Sequence, residues 1–145
     1  MGMRPSEIRP DIALKQLLDK QIVLQKSATE SVEIKAYAQG ERPNTGLDDE
    51  FIEILFNGVV RAKTKPLGLF RGSLAVIVYV KTYDDGSVFQ YRVDSILKQL
   101  EDKVSLVSYE DYFFEINPDN IITPTTVNIT SGFSTTILNI EWHTV

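Results

Sequence analysis

Cysteine is absent from this 145-residue sequence. That excludes a disulfide frame, a thiolate nucleophile and a zinc–thiolate site, and it fits a reducing cytoplasm. Histidine occurs once, as His143. With no second histidine and no cysteine to join it, it reads as a packed or surface residue of a terminal strand rather than a base or metal ligand. Neither a phosphate-cradling GxxxxGK[ST] nor a dinucleotide-type GxGxxG occurs, and no cofactor is expected. "GFS" around Ser134 lacks the strand–turn–helix context of a hydrolase serine. No run approaches the ~20 apolar residues of a membrane helix, so no membrane is expected among the partners. The opening "MGMRPSEIRP" has no apolar core of a secretory signal, and its "MG" does not read as a myristoylation site.

What is present describes an ordinary globular chain, 43% hydrophobic and 24% charged. Its length suits one domain over residues 1–145, with 1–10 as a flexible leader. Charge is uneven: residues 1–72 hold eleven Lys+Arg against ten Asp+Glu, and residues 73–145 hold four against ten. An acidic chain is a poor general DNA binder, but an asymmetric one can present opposite faces to two partners.

The stretch "RPDIALKQLLDKQIVLQK" reads as a helix, with Leu14, Leu17, Leu18 and Ile22 at helical spacing, Pro10 in the first turn and Asp11 at the positive dipole end. "SVEIKAYAQ" alternates, with Val32, Ile34, Ala36 and Ala38 on one face of a half-buried strand. "GERPNTGLDD" reads as loop, and "EFIEILFNG" alternates again through Ile52, Ile54 and Phe56. "SLAVIVYV" is apolar on both faces, as in a strand covered on both sides, by a helix and by a partner subunit. Phe89, Val93, Ile96, Leu97, Leu100 and Val104 predict a second amphipathic helix over 87–104. "YFFEI" reads as a strand, "NPDNIITPTTV" as irregular, and "FSTTILNIEWHTV" as a final strand. Short links between neighbouring strands favour antiparallel pairing. The expected architecture is α+β, a mostly antiparallel sheet with two helices packed on one face.

Chemistry-bearing motifs are few. Pro10-Asp11 followed by Glu33-Ile34-Lys35 spells a PD…ExK metal-nuclease pattern. Asp11 opens a helix, however, and Glu33 and Lys35 fill the polar face of a strand, so a chance match is preferred. "DDE" at 48–50 and Asp84-Asp85 read as solvated acidic turns rather than a cation site. The late aromatics Tyr109, Tyr112, Phe113, Phe114, Phe133 and Trp142 divide between core and a possible interface. The most unusual stretch is "NGVVRAKTKPLGLFRGS", a crossing between two apolar strands that carries Arg61, Lys63, Lys65 and Arg71. With Leu69 and Phe70 these form a candidate interface. Residues 60–72 are expected to order only when a partner takes them up.

The succession of elements resembles the tail terminator, or tail completion, proteins of long-tailed bacteriophages and prophages. It comprises an N-terminal helix, "VEIKAYAQGERPNTGLDDEFIEILFNG", a long apolar strand ending at "DDG", the helix "VDSILKQLEDKV" and the closing "SGFSTTILNIEWHT". The resemblance covers roughly residues 11–145. It implies a non-enzymatic subunit of a ring, usually a hexamer, at the head-proximal end of the virion tail, assembled in the bacterial cytoplasm. Such a ring caps the tail tube, ends its polymerisation and joins it to the head connector. Its partners would be further copies of itself, the tail tube protein and the connector protein, with passive contact to DNA in the lumen. The alternatives are another head–tail connector or tube subunit and, less favoured, the metal-dependent nuclease.

Overall fold

The computed structural model describes residues 8–43, 47–62, 69–82, 90–127 and 132–145, with the side chains of 117–127 outside the description. Two helices and seven strands follow the order α1 (Pro10–Leu18), β1 (Ile22–Gln25), β2 (Ser31–Tyr37), β3 (Glu50–Ala62), β4 (Phe70–Lys81), α2 (Gln90–Val104), β5 (Leu106–Tyr109), β6 (Tyr112–Val127) and β7 (Phe133–Thr144). The strands form one mixed sheet in the order β1-β2-β3-β4-β7-β6-β5. The class is α+β.

The first helix is shorter than its periodicity predicts. It stops at Leu18, and Lys20 takes a positive φ of 60° in the turn that follows. Ile22 and Leu24 then alternate with exposed Val23 and Gln25 in a strand. The β-branched pair Ile22-Val23 suits an extended chain, and Ile22 pairs with Ile34 on β2. Residues 8–10, expected in a flexible leader, belong to the packed domain: Ile8 is buried, and the Arg9 amide donates to the Tyr112 hydroxyl at 2.9 Å. The remaining leader residues, 1–7, lie outside the described residues.

β2 and β3 run parallel, joined by the long connection 38–49, against the expectation of antiparallel neighbours; the other pairings are antiparallel. "NPDNIITPTTV" is strand rather than irregular chain. Its ladder with β7 breaks between Ile116 and Ile121 and again between Ile122 and Thr125. Pro118 and Pro124 fall in these two gaps, where a missing N–H costs no ladder hydrogen bond. β5 was hidden in the sequence between helix and turn.

β4 is the middle strand, paired along its length with β3 and β7. Its Leu74, Val76, Val78 and Val80 are buried, whereas Ala75, Ile77 and Tyr79 are half-buried. The buried face joins a single core with Ile52, Ile54, Leu138 and Ile140, and with Leu14 and Leu18 of α1 and Val93, Ile96, Leu100 and Val104 of α2. Leu97 only flanks this core. Of the late aromatics, Tyr112, Phe114, Phe133 and Trp142 are buried. At the β1 edge, the Gln99 side chain of α2 imitates a strand. Its oxygen accepts from the Val23 amide at 3.1 Å, and its nitrogen donates to the Val23 carbonyl at 2.9 Å.

Gly72 faces Trp142 across the β4–β7 ladder, and a Cβ there would lie 2.9 Å from the indole Cζ2. The indole is held edge-on against Tyr112, with ring centroids 5.8 Å apart. Gly72→Ala therefore forces the ring from its slot, an overpacking that costs about 1–3 kcal/mol. Trp142 is the sole tryptophan, so its emission reports the shift directly. A variant with the parent's melting curve and emission maximum would show that these two residues are not cross-strand neighbours.

Candidate functional site

The face of the sheet opposite the core carries the candidate site. Towards one end it is closed by its own aromatics. Phe51 stacks on Tyr79 at 4.5 Å and meets Phe133 edge-on at 5.4 Å. Next come half-buried Leu55, Ala75, Ile77 and Ile137. The Tyr79 hydroxyl donates to Glu53 at 3.0 Å. Burial first, then the negative charge of Glu53, pushes the Tyr79 phenol up to about 12. A pKa raised on folding stabilises the fold fully below the ordinary value of about 10, and this contribution is lost as pH rises through the folded value. Phenolate absorbance should therefore show one tyrosine titrating near pH 12, with stability falling across pH 10–12 by less in Tyr79→Phe. A parent in which every tyrosine titrates near pH 10 would sink this assignment.

At the other end lies a groove of about 780 Å³, lined by Asn57, Val59, Arg61, Arg71, Glu115, Glu141 and His143, among others. Gly58, with φ of 84°, opens it. From Asn57 to Arg61, four residue steps on β3 face the two from Ser73 to Arg71 on β4. Glycine supplies the left-handed backbone that such a bulge needs. Beyond the bulge the strands pair again, Arg61 with Arg71 and Ala62 with Phe70. The crossing expected to be unstructured over 60–72 is thus strand at both ends, because pairing continues past the bulge.

The register sets the groove's charges in two rows. Arg61 faces Arg71, which faces His143, which faces Phe113; one row on, Ser73 faces Glu141, which faces Glu115. Like charges directly opposite each other destabilise a sheet. Among the described residues no ion pair engages these two arginines or these two glutamates. The His143 ring lies 5.0 Å from that of Phe113. Asn57 donates to the Asn139 side chain at 3.0 Å.

Of the residues singled out by sequence, Arg61 and Arg71 come together at this groove. Phe70 turns to the opposite face, half-buried against the core, with its amide donating to Thr144 Oγ1 at 2.8 Å. Its own subunit therefore uses part of the apolar surface that a partner was expected to take. Leu69 is half-buried just before β4. Lys63 and Lys65 lie outside the described residues, as do Asp84 and Asp85. Glu115 and Glu141 were missed by sequence reasoning, and His143, read as a packed or surface residue of a terminal strand, is half-buried on β7 at the groove. The outward alternation Phe113-x-Glu115 and Glu141-x-His143 was legible, but the register that joins them was not.

The nuclease pattern does not converge into a site of free groups. Asp11 is fully buried, and its oxygens accept from Arg9 Nε at 3.0 Å, Arg9 Nη2 at 2.9 Å and the Gln39 amide at 3.2 Å. That carboxylate raises the Arg9 guanidinium above its ordinary value, chiefly by hydrogen bonding. Lys35 instead pairs with Asp48 at 3.3 Å, and Glu33 is exposed. Among the described residues no three His, Asp or Glu side chains are placed to hold a metal ion, and no helix is long and apolar enough to cross a membrane. In "DDE" Asp49 is exposed before the strand, as expected, but Glu50 opens β3 and is buried between Lys26 at 3.0 Å and Arg92 at 2.9 Å. No family model matches this chain, and no curated protein matches it.

Proposed function

We propose that the chain is the repeating subunit of a structural ring of the phage tail terminator kind. In this reading the ring caps the tail tube, stops its growth and offers a surface to the head connector. The protein has no catalytic role, and it acts at the head-proximal end of the tail after assembly in the bacterial cytoplasm.

One observation carries the reading. β4 is apolar on both faces, yet the helices' apolar residues join the core on one of them. We read the sheet as mostly antiparallel with both helices on that face. The opposite face, with Leu55, Ile77 and Ile137 only half-buried, is then left for another molecule, as a subunit that functions only in an assembly requires. The long β3–β4 hairpin with its arginine pair gives a second contact element, and a ring needs two different patches.

Light scattering with electron microscopy of the purified chain tests this. Closed rings are expected, and their addition should shorten the tubes formed by the phage tube subunit. A monomer at every concentration, or tubes of unchanged length, would remove the reading. A nucleic-acid-cleaving activity dependent on Mg²⁺ would replace it.

A further inference from the structure

We propose that the groove at the β3 bulge is a docking site for an extended peptide segment of a partner protein, one that carries an acidic and a basic side chain three residues apart. The site stands whether or not the chain closes a ring. Within a ring, it names what the arginine-bearing hairpin receives.

The register carries the inference. Across β3, β4, β7 and β6 one row reads Arg61, Arg71, His143, Phe113, and the next reads Asn57, Ser73, Glu141, Glu115. Both guanidiniums stand on the β3–β4 half of the groove and both carboxylates on the β7–β6 half. A single groove thus has a positive end and a negative end. The four charged side chains are exposed, and among the described residues none of them has an ion-pair partner. Each like-charged pair repels across its two strands. A carboxylate held by both guanidinium forks removes the first repulsion, and an ammonium held by both carboxylates removes the second. The midpoints of the two pairs lie two strand spacings and one row apart. At about 4.8 Å per strand and 3.3 Å per residue, that is roughly 12 Å. In a polyproline-type chain, residues three apart lie on one side and about 9 Å from each other, and their side chains supply the rest of the span. Openness favours a chain segment over a small molecule. Small-molecule sites enclose most of their ligand, whereas here all four charged groups are exposed and Val59, on the bulge, is 70% exposed. A segment laid along the groove takes Val59 out of water, while the charged ends set its polarity.

His143 is the only histidine and lines the groove, so its imidazole proton signals report binding directly. Titrating the full chain with the capped peptide Gly-Glu-Ala-Pro-Lys-Gly should shift them saturably. The capped like-charged peptides Gly-Glu-Ala-Pro-Glu-Gly and Gly-Lys-Ala-Pro-Lys-Gly each satisfy one end of the groove. Gly-Glu-Lys-Ala-Pro-Gly, with its charges adjacent, cannot reach both. All three should bind about tenfold more weakly, the value of one charge-assisted contact. Arg61→Gln/Arg71→Gln and Glu115→Gln/Glu141→Gln should each weaken the mixed-charge peptide by about the same factor. All four side chains are exposed, so circular dichroism melts of both variants should match the parent. Should a double variant melt early, the peptide series on the parent decides alone. No saturable shift, equal affinity for the like-charged peptides, or unchanged affinity in either folded double variant overturns the site. A chain that is monomeric by light scattering yet binds the mixed-charge peptide keeps the site and removes the ring reading. Closed rings with no peptide binding do the reverse.

Discussion

Val76→Asp should abolish the cooperative thermal transition. Val76 is fully buried on the middle strand, and it pairs with Ile54 on one side and Leu138 on the other, both also fully buried. A carboxylate there has no cation within the apolar core. Burying an unpaired polar or charged group costs several kcal/mol, a large share of the ~5–15 kcal/mol that holds a domain together. The neighbouring Ile77→Asp points to the open face, where the side chain is only half-buried. It should leave the chain folded and, if the proposed ring forms through this face, assembling poorly. Circular dichroism melts of the two variants give the comparison. If Val76→Asp melts like the parent and Ile77→Asp does not, the two faces of β4 have been assigned the wrong way round.

Glu50→Ala is the second change expected to be severe. The Glu50 carboxylate is 2% exposed and holds Lys26 and Arg92, which are themselves 15% and 11% exposed. It ties the β1–β2 turn and the start of α2 to the first residue of β3. Removing one member of a buried ionic cluster typically costs about 3–5 kcal/mol; here Lys26 keeps Asp49 at 3.6 Å and Arg92 keeps its contact with the Tyr91 ring, so the loss should lie towards the lower end of that range. Glu50→Gln keeps the shape and an acceptor oxygen and should lose less. Urea unfolding should show a lower midpoint with an unchanged slope. A loss in Glu50→Ala within about 0.5 kcal/mol, the range of inert surface changes, would mean that the cluster does not hold the helix in place.

How much could be read beforehand depended on which signals were local. The alternation of Val32, Ile34 and Ala36, and the two-faced run from Leu74 to Val80, belong to one segment each, and both became strands as read. Ile22 deceived because it lies four residues after Leu18 and two before Leu24, satisfying both the helical and the strand period. Its partner Ile34 decided the outcome, and pairing cannot be seen in a single segment. β6 was obscured by Pro118 and Pro124, which argue against a strand until register breaks accommodate them. The same limit applied to the groove. Arg61 and Arg71 drew notice by charge, whereas Glu115, Glu141 and His143 acquire their meaning only from neighbours across β6 and β7.

The amide of Gln99 occupies the place where an eighth strand would bind. An exposed sheet edge is a template for runaway pairing between chains. By filling the hydrogen-bonding positions of Val23 from within its own chain, the Gln99 side chain takes these two backbone groups away from pairing with another chain. A single glutamine on a helix thus serves as an aggregation guard. Gln99→Ala would leave the fold largely in place while exposing the protein to slow, concentration-dependent precipitation.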